Sequence, residues 1–223
     1  MKRSEINGYI REFREELDRI CFRLPPFCDI PAEKWADLGH EYDEIRSCML
    51  GWDITDFGSG DFHKVGLQLV TLRNGKIGQP DSKTYAEKIM LVRDGQVTPM
   101  HFHWNKMEDI INRGGGDLCI KIWPSNQAEE LLMDDCQVKI DGILRTFKAG
   151  ETFRLKPGQS ISFTPYIYHT FWAEGGTCLA GEVSTVNDDT NDNRFYEPLG
   201  RYTDLVEDEP VYRYLCNEYP NIK

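Results

Sequence analysis

In the stretch HFHWNKMED, residues 101–109, two histidines stand a single residue apart and an acid follows, in a chain with only five histidines. Alternate side chains of a β-strand share a face, so His101 and His103 project together there, whereas on a helix they diverge by about 200°. A strand therefore turns this spacing into a pair of metal-ligating nitrogens, and Glu108, on the next strand or bend, adds an oxygen. His169, in the strand-like segment PYIYHTF, is the fourth candidate. Three nitrogens and one oxygen hold a divalent first-row ion and leave two positions open when it is six-coordinate. His40 and His63 have no comparable partners and read as surface or packing residues.

These four side chains come from two separated segments, 101–108 and the one around His169, so strands must bring them together. From about residue 50 the sequence breaks into short apolar runs separated by turn residues, among them VGLQLVTLRNG, EKIMLVRDGQ, DLCIKIWPSN and ETFRLKPGQSISFTP. This texture predicts a mainly β fold, an antiparallel sandwich or barrel. Asp141-Gly142 within IDGILRTF predicts a hairpin turn. Ahead of the strands, Ile6, Tyr9, Ile10, Phe13, Leu17, Ile20, Cys21 and Leu24 recur at three- and four-residue steps, which predicts an amphipathic helix ended by Pro25-Pro26. A shorter helix is expected over PAEKWADLGH, with Pro31 at its first position. The expected partition is a helical extension over 1–48, a barrel over 49–186 and a polar tail over 187–223 that covers something, all in one structural domain.

Composition narrows the partners. A net charge of −11 repels nucleic acid and anionic membrane surfaces, which leaves a small, weakly charged molecule as the easier ligand. No apolar run is long enough to cross a bilayer, and the N-terminus is too polar for a signal peptide, so a cytoplasmic location is expected. The seven cysteines are scattered without a CxxC pair, which predicts buried free thiols rather than a disulfide framework.

The stretch GQVTPMHFHWNKMEDIINRGG resembles the first cupin motif through Gly95, His101, His103, Glu108 and Gly114, and GETFRLKPGQSISFTPYIYHTF resembles the second through Gly150, Pro157-Gly158, Pro165 and His169. HFHWNKMEDIINRGGG, the long N-terminal helix and the tail EVSTVNDDTNDNRFYEP are together similar to the cupin-type D-lyxose isomerases, a likeness that spans nearly the whole chain. The resemblance implies a cupin (double-stranded β-helix) barrel with N-terminal helices. It also implies a homodimer, a manganese-preferring site held by the four ligands named above, and ketol isomerisation of D-lyxose and D-xylulose, often with D-mannose and D-fructose. Zinc, cobalt or iron also accept such ligands. A ferrous-iron dioxygenase and a non-enzymatic sugar-binding cupin use the same scaffold, and the residues alone leave both open.

Aldose–ketose isomerisation moves one proton between C2 and C1 and another between their oxygens. An ion with two adjacent open positions chelates both oxygens and stabilises the enediol. The base must not be a ligand. Glu182, in LAGEVST, is the first choice, because an inward-facing carboxylate in an apolar barrel has a raised pKa. Lys106, between the ligands, is placed to donate to a sugar oxygen or to hold the developing charge. The tail offers Asp188, Asp189, Asp192 and Arg194 for reading hydroxyls, and of these Asp192 and Arg194 are expected to bind substrate.

Overall fold

The computed structural model describes residues 1–221. Eleven strands follow the helical N-terminus: β1 Gly51–Thr55, β2 Leu67–Arg73, β3 Tyr85–Val92, β4 Thr98–Phe102, β5 Glu108–Pro124, β6 Cys136–Ile140, β7 Ile143–Phe147, β8 Thr152–Leu155, β9 Ser160–Phe163, β10 Ile167–Thr185 and β11 Arg194–Phe195. All their pairings are antiparallel.

β5 and β10 pair along nearly their whole lengths. The start of β5 pairs with β9 and the end of β10; its far half pairs with β8 and the start of β10. One ribbon thus passes from one layer of the barrel to the other. Glycine makes the bend: at Gly115, with φ +92°, an added Cβ would sit 2.1 Å from the Thr177 carbonyl oxygen, so only a residue without a side chain allows the two backbones to approach. Around this ribbon the strand order is β1-β2-β3-β10-β5-β9-β6-β7, with β8 beside β5 and β4 joining β10 to β11. Asp141 and Gly142, at φ +50° and +78°, form the β6–β7 hairpin turn, as expected of a type I′ loop.

The helix is shorter than the periodicity predicts. α1 spans Arg3–Arg19, because Cys21 turns into the left-handed region at φ +61° and the Phe22 N–H bonds back to the Leu17 carbonyl. Ile20 is consequently exposed, and the prolines lie beyond the true end. PAEKWADLGH also differs: Ala32–Asp37 is a 3₁₀ turn, with Pro31 just ahead of it.

α1 presents Ile6, Ile10, Phe13 and Leu17 to Trp52, Ile54, Val70, Leu72, Ile89 and Leu91 on β1–β3. The opposite face of β2 and β3 turns Leu69, Met90 and Val92 into the barrel, against Ile110, Ile120, Phe163 and Phe171. With both faces covered, these strands read as near-continuous apolar runs. The tail ties the layers together. β11 pairs with β4, Arg3 forms ion pairs with Glu207 and Glu218, and Asn7 bonds to the backbone at Pro210 and Tyr212. Six of the seven cysteines are buried free thiols and Cys21 is exposed. No helix among the described residues is long and apolar enough to cross a membrane.

Candidate metal centre and pocket

His101 lies near the end of β4, His103 just beyond it, and His169 sits opposite His101 in the β4–β10 register. The His101 and His169 ring centroids are 4.3 Å apart, and His103 stands 5.1 and 5.9 Å from the two. One ring nitrogen from each lies within 4.8 Å of the others. Each Nδ1 faces a backbone carbonyl: His101 that of Pro99 at 2.8 Å, His103 that of Asp192 at 2.5 Å, and His169 that of Ile167 at 3.1 Å. A carbonyl only accepts, so the proton of each neutral ring belongs on Nδ1 and Nε2 is left as a lone pair.

Glu108, the first residue of β5, places Oε1 3.4 Å from His103 Nε2 and 3.2 Å from His169 Nε2. His103 Nε2 and Glu108 Oε1 are buried and have no hydrogen-bond partner among the described residues. Convergent buried acceptors without donors are costly unless a cation lies between them. Three imidazoles and a carboxylate in this arrangement fit a divalent ion. Burial would raise the Glu108 carboxyl, but the Lys106 ammonium 2.7 Å away outweighs it and holds the group well below the usual range. Burial and the two neighbouring rings push His101 well below the ordinary histidine value, which keeps it neutral.

Beside the imidazoles stands a row of buried charges of alternating sign. Lys106 Nζ is 2.7 Å from Glu108 Oε2, 2.9 Å from Glu182 Oε1 and 3.3 Å from Asn187 Oδ1. Glu182 on β10 pairs in register with Lys88 on β3, whose Nζ lies 3.4 Å from Glu182 and 3.7 Å from Asp189. Arg201 continues the row, 3.4 Å from Asp189 and 2.5 Å from Asp53. The expectation of a raised Glu182 pKa is therefore corrected. Burial does push it upward, but Lys106 and Lys88 outweigh that and lower it, so the group is ionised at neutral pH.

Lys88, Lys106, Glu182, Asp189, Asn193 and Arg201 line one pocket with the four candidate ligands, and Phe57, Phe171 and Phe195 form apolar walls. Asp192 and Arg194, expected to touch substrate, do not line it. On β11, Phe195 pairs with His101 and Arg194 with Phe102. Successive strand residues face opposite ways, so Phe195 turns into the pocket while Arg194 turns outward and donates to Glu129 at 2.7 Å. The Asp192 carboxylate is occupied by donors from the 103–106 loop. The residues the sequence missed are Lys88, Arg201 and, passed over within its acidic run, Asp189. Lys88 left one signal, a cation two residues from Met90 on the same face of β3, at the head of the apolar run 89–92. Arg201 left none.

A sequence profile of D-lyxose isomerase matches residues 1–219. The chain is 49% identical to the D-lyxose/D-mannose isomerase of Escherichia coli O157:H7 and 48% identical to that of Serratia proteamaculans, over 98% of both chains in each case. Among solved structures it is similar to the L-ribose isomerase of Cellulomonas parahominis with L-ribose, with a TM-score of 0.62 and 15% identity over 92% of this chain and 98% of that one. The L-ribose isomerase of Acinetobacter sp. DL28 in complex with L-ribose matches with the same values. The barrel is a cupin fold and the protein an aldose–ketose isomerase. More narrowly, the chain belongs to the D-lyxose isomerase family.

Proposed function

We propose that this chain is a divalent-metal-dependent isomerase that interconverts D-lyxose with D-xylulose, and D-mannose with D-fructose, through an enediol. The observation that carries the reading is the convergence of unpartnered imidazole and carboxylate acceptors beside an ionised, non-ligating glutamate in one pocket. D-lyxose and D-mannose share their configuration from C2 to C4, so one set of contacts serves both.

His101, His103, His169 and Glu108 are the proposed ligands and Mn²⁺ the proposed ion. When bound, the ion supplies Lewis acidity for the oxygens on C1 and C2. Glu182 is the proposed base. Lys106 and Lys88 both approach its Oε1, which leaves Oε2 to take the proton from C2 and return it to C1. The same two ammoniums keep the carboxylate charged before the transfer and limit its basicity after it, so the proton is readily handed on. All three Lys106 hydrogens already have acceptors, so its role is to offset charge between Glu108 and Glu182 rather than to give a proton to the sugar. Asp189, Asn193 and Arg201 are the polar groups available to the remaining hydroxyls. A homodimer is part of the same reading and rests on the family resemblance; sedimentation tests it.

The deciding experiment follows D-lyxose with the Mn²⁺-loaded protein in deuterium oxide by NMR. Exchange at C2 and appearance of D-xylulose are expected, abolished by chelator, restored by Mn²⁺ and unaccompanied by oxygen uptake. Metal-loaded protein that neither converts nor exchanges the C2 proton of any pentose or hexose overturns the reading.

A further inference from the structure

The tail between β10 and β11 grips Lys106 at both ends. The Asp192 carboxylate is buried and accepts from the loop backbone: Oδ2 from the Lys106 N–H at 2.9 Å, and Oδ1 from the Asn105 N–H at 2.9 Å and the Asn105 side-chain amide at 3.2 Å. At the other end of the side chain, Asn187 Oδ1 accepts from Lys106 Nζ at 3.3 Å and from Lys88 Nζ at 2.7 Å. Asn187 is itself fixed, because its N–H and carbonyl both bond to the Asn74 side chain at 3.0 and 2.9 Å.

An ammonium has three hydrogens and seeks three acceptors. Glu108 and Glu182 supply two at Lys106 and Asn187 supplies the third. Two carboxylates alone leave a long, flexible side chain free to pivot, and a carboxylate under the loop fixes where that side chain begins. We infer that Asp192 and Asn187 are positioning residues that hold Lys106 between Glu108 and Glu182, so that the tail assembles the site without touching the sugar. The inference rests on the proposed roles of Lys106 and Glu182, and it stands against the expectation that Asp192 contacts substrate.

Two measurements on the full-length protein test it. In D192N, one oxygen becomes an amide that faces a backbone N–H, so the loop loses an acceptor. Acetylation of Lys106 by acetic anhydride, read by peptide mass spectrometry, should then rise about tenfold while the surface lysines are unchanged, in line with the loss of one or two buried hydrogen bonds. This readout does not depend on turnover, so it decides the inference even if the isomerase reading fails; unchanged labelling of Lys106 overturns it. The second is a double-mutant cycle on the Mn²⁺-loaded protein. D192N should lower kcat for D-lyxose by about 10- to 100-fold with KM within about threefold, as for other residues one layer behind a metal site. In the K106M background it should cost less than about twofold further. A full D192N loss in that background shows an action independent of Lys106 and overturns the inference. N187A removes the third acceptor of the Lys106 ammonium and with it an acceptor of Lys88; should D192N fail to fold, it carries the same labelling and cycle with the same expected directions, Lys88 labelling being read alongside.

Discussion

Two neighbouring residues of β3 stand for two regions of the molecule. Lys88 points into the barrel, where it meets Glu182 and Asp189; Ile89 points out and is buried under α1. The interior face bears imidazoles, carboxylates, lysines and Arg201 close together, every one desolvated at a cost that ion pairing only partly returns. The outer face bears Ile6, Ile10, Phe13, Leu17 and their partners, which contribute about 1.5–3 kcal/mol per fully buried large side chain. Strand alternation thus divides the labour: the helix-covered face is apolar throughout, whereas the inner face carries costly polar chemistry at one part of a barrel core that Leu69, Met90 and Val92 help to fill.

That division is broken most severely from the inside. His169→Ala removes a buried, proposed ligand and leaves both apolar cores to hold the fold. Isomerisation should drop by at least about 10³-fold, since a Lewis-acid contribution of several kcal/mol is lost. Mn²⁺ affinity measured by electron paramagnetic resonance should fall with it, and circular dichroism should be unchanged. Retained Mn²⁺ affinity would show that His169 is not a ligand.

Next in size is Glu182→Gln, which is nearly isosteric and keeps an acceptor for Lys106 while removing the proposed base. C2 exchange should fall by about 10²- to 10⁴-fold with Mn²⁺ affinity held within a few-fold. Equal losses of metal and of exchange would place Glu182 among the ligands instead.

From the outside the comparison reverses. Phe13 is fully buried against Trp52, with ring centroids 5.9 Å apart. Phe13→Ala should destabilise the protein by about 3–5 kcal/mol in urea titrations, while kcat per folded molecule and Mn²⁺ affinity stay within about twofold. A large change in kcat would mean that α1 sets the geometry of the pocket and that the two faces are coupled.

How much of this was written in the sequence follows the same line. The convergence of His101, His103, Glu108 and His169 was legible from the two-residue step of the first pair and from the cupin resemblance that joins the other two to it, and the Asp141-Gly142 turn because left-handed turn geometry admits few residue types. The end of α1 at Arg19 was not, since the apolar period runs on to Leu24 while a local left-handed turn at Cys21 stops the helix. Lys88 was obscured because a strand buried on both faces shows no polar alternation to mark which side is inward. Arg194 and Asp192 were misplaced for a third reason. The tail forms only a two-residue strand, Arg194–Phe195, and a shift of one residue in so short a pairing sends the opposite side chain into the pocket. Composition marks such a segment as polar but carries no register.

The smallest effect expected is on stability against pH, and it separates the two faces without altering the outer one. In metal-free protein His101 is held neutral, well below the 6.5 of a free histidine. Below that value the unfolded chain takes up a proton that the folded site refuses, so folding stability should begin to fall as pH drops past about 6.5. Glu108, Glu182 and Asp189 are depressed from 4.5, 4.5 and 3.8. Their contribution is complete above those values and is lost as pH falls toward their folded values, which gives a second, more acidic stage. Thermal unfolding of chelator-treated protein between pH 8 and pH 3 should therefore show a two-stage decline. His101→Gln should remove the His101 contribution to the first stage and keep the second, whereas Phe13→Ala should lower the whole curve and leave its shape intact. A wild-type curve flat from pH 8 to pH 5 would mean that the imidazole cluster admits a proton without cost, and the interior would then be far better solvated than the packing of His101, His169 and Phe163 indicates.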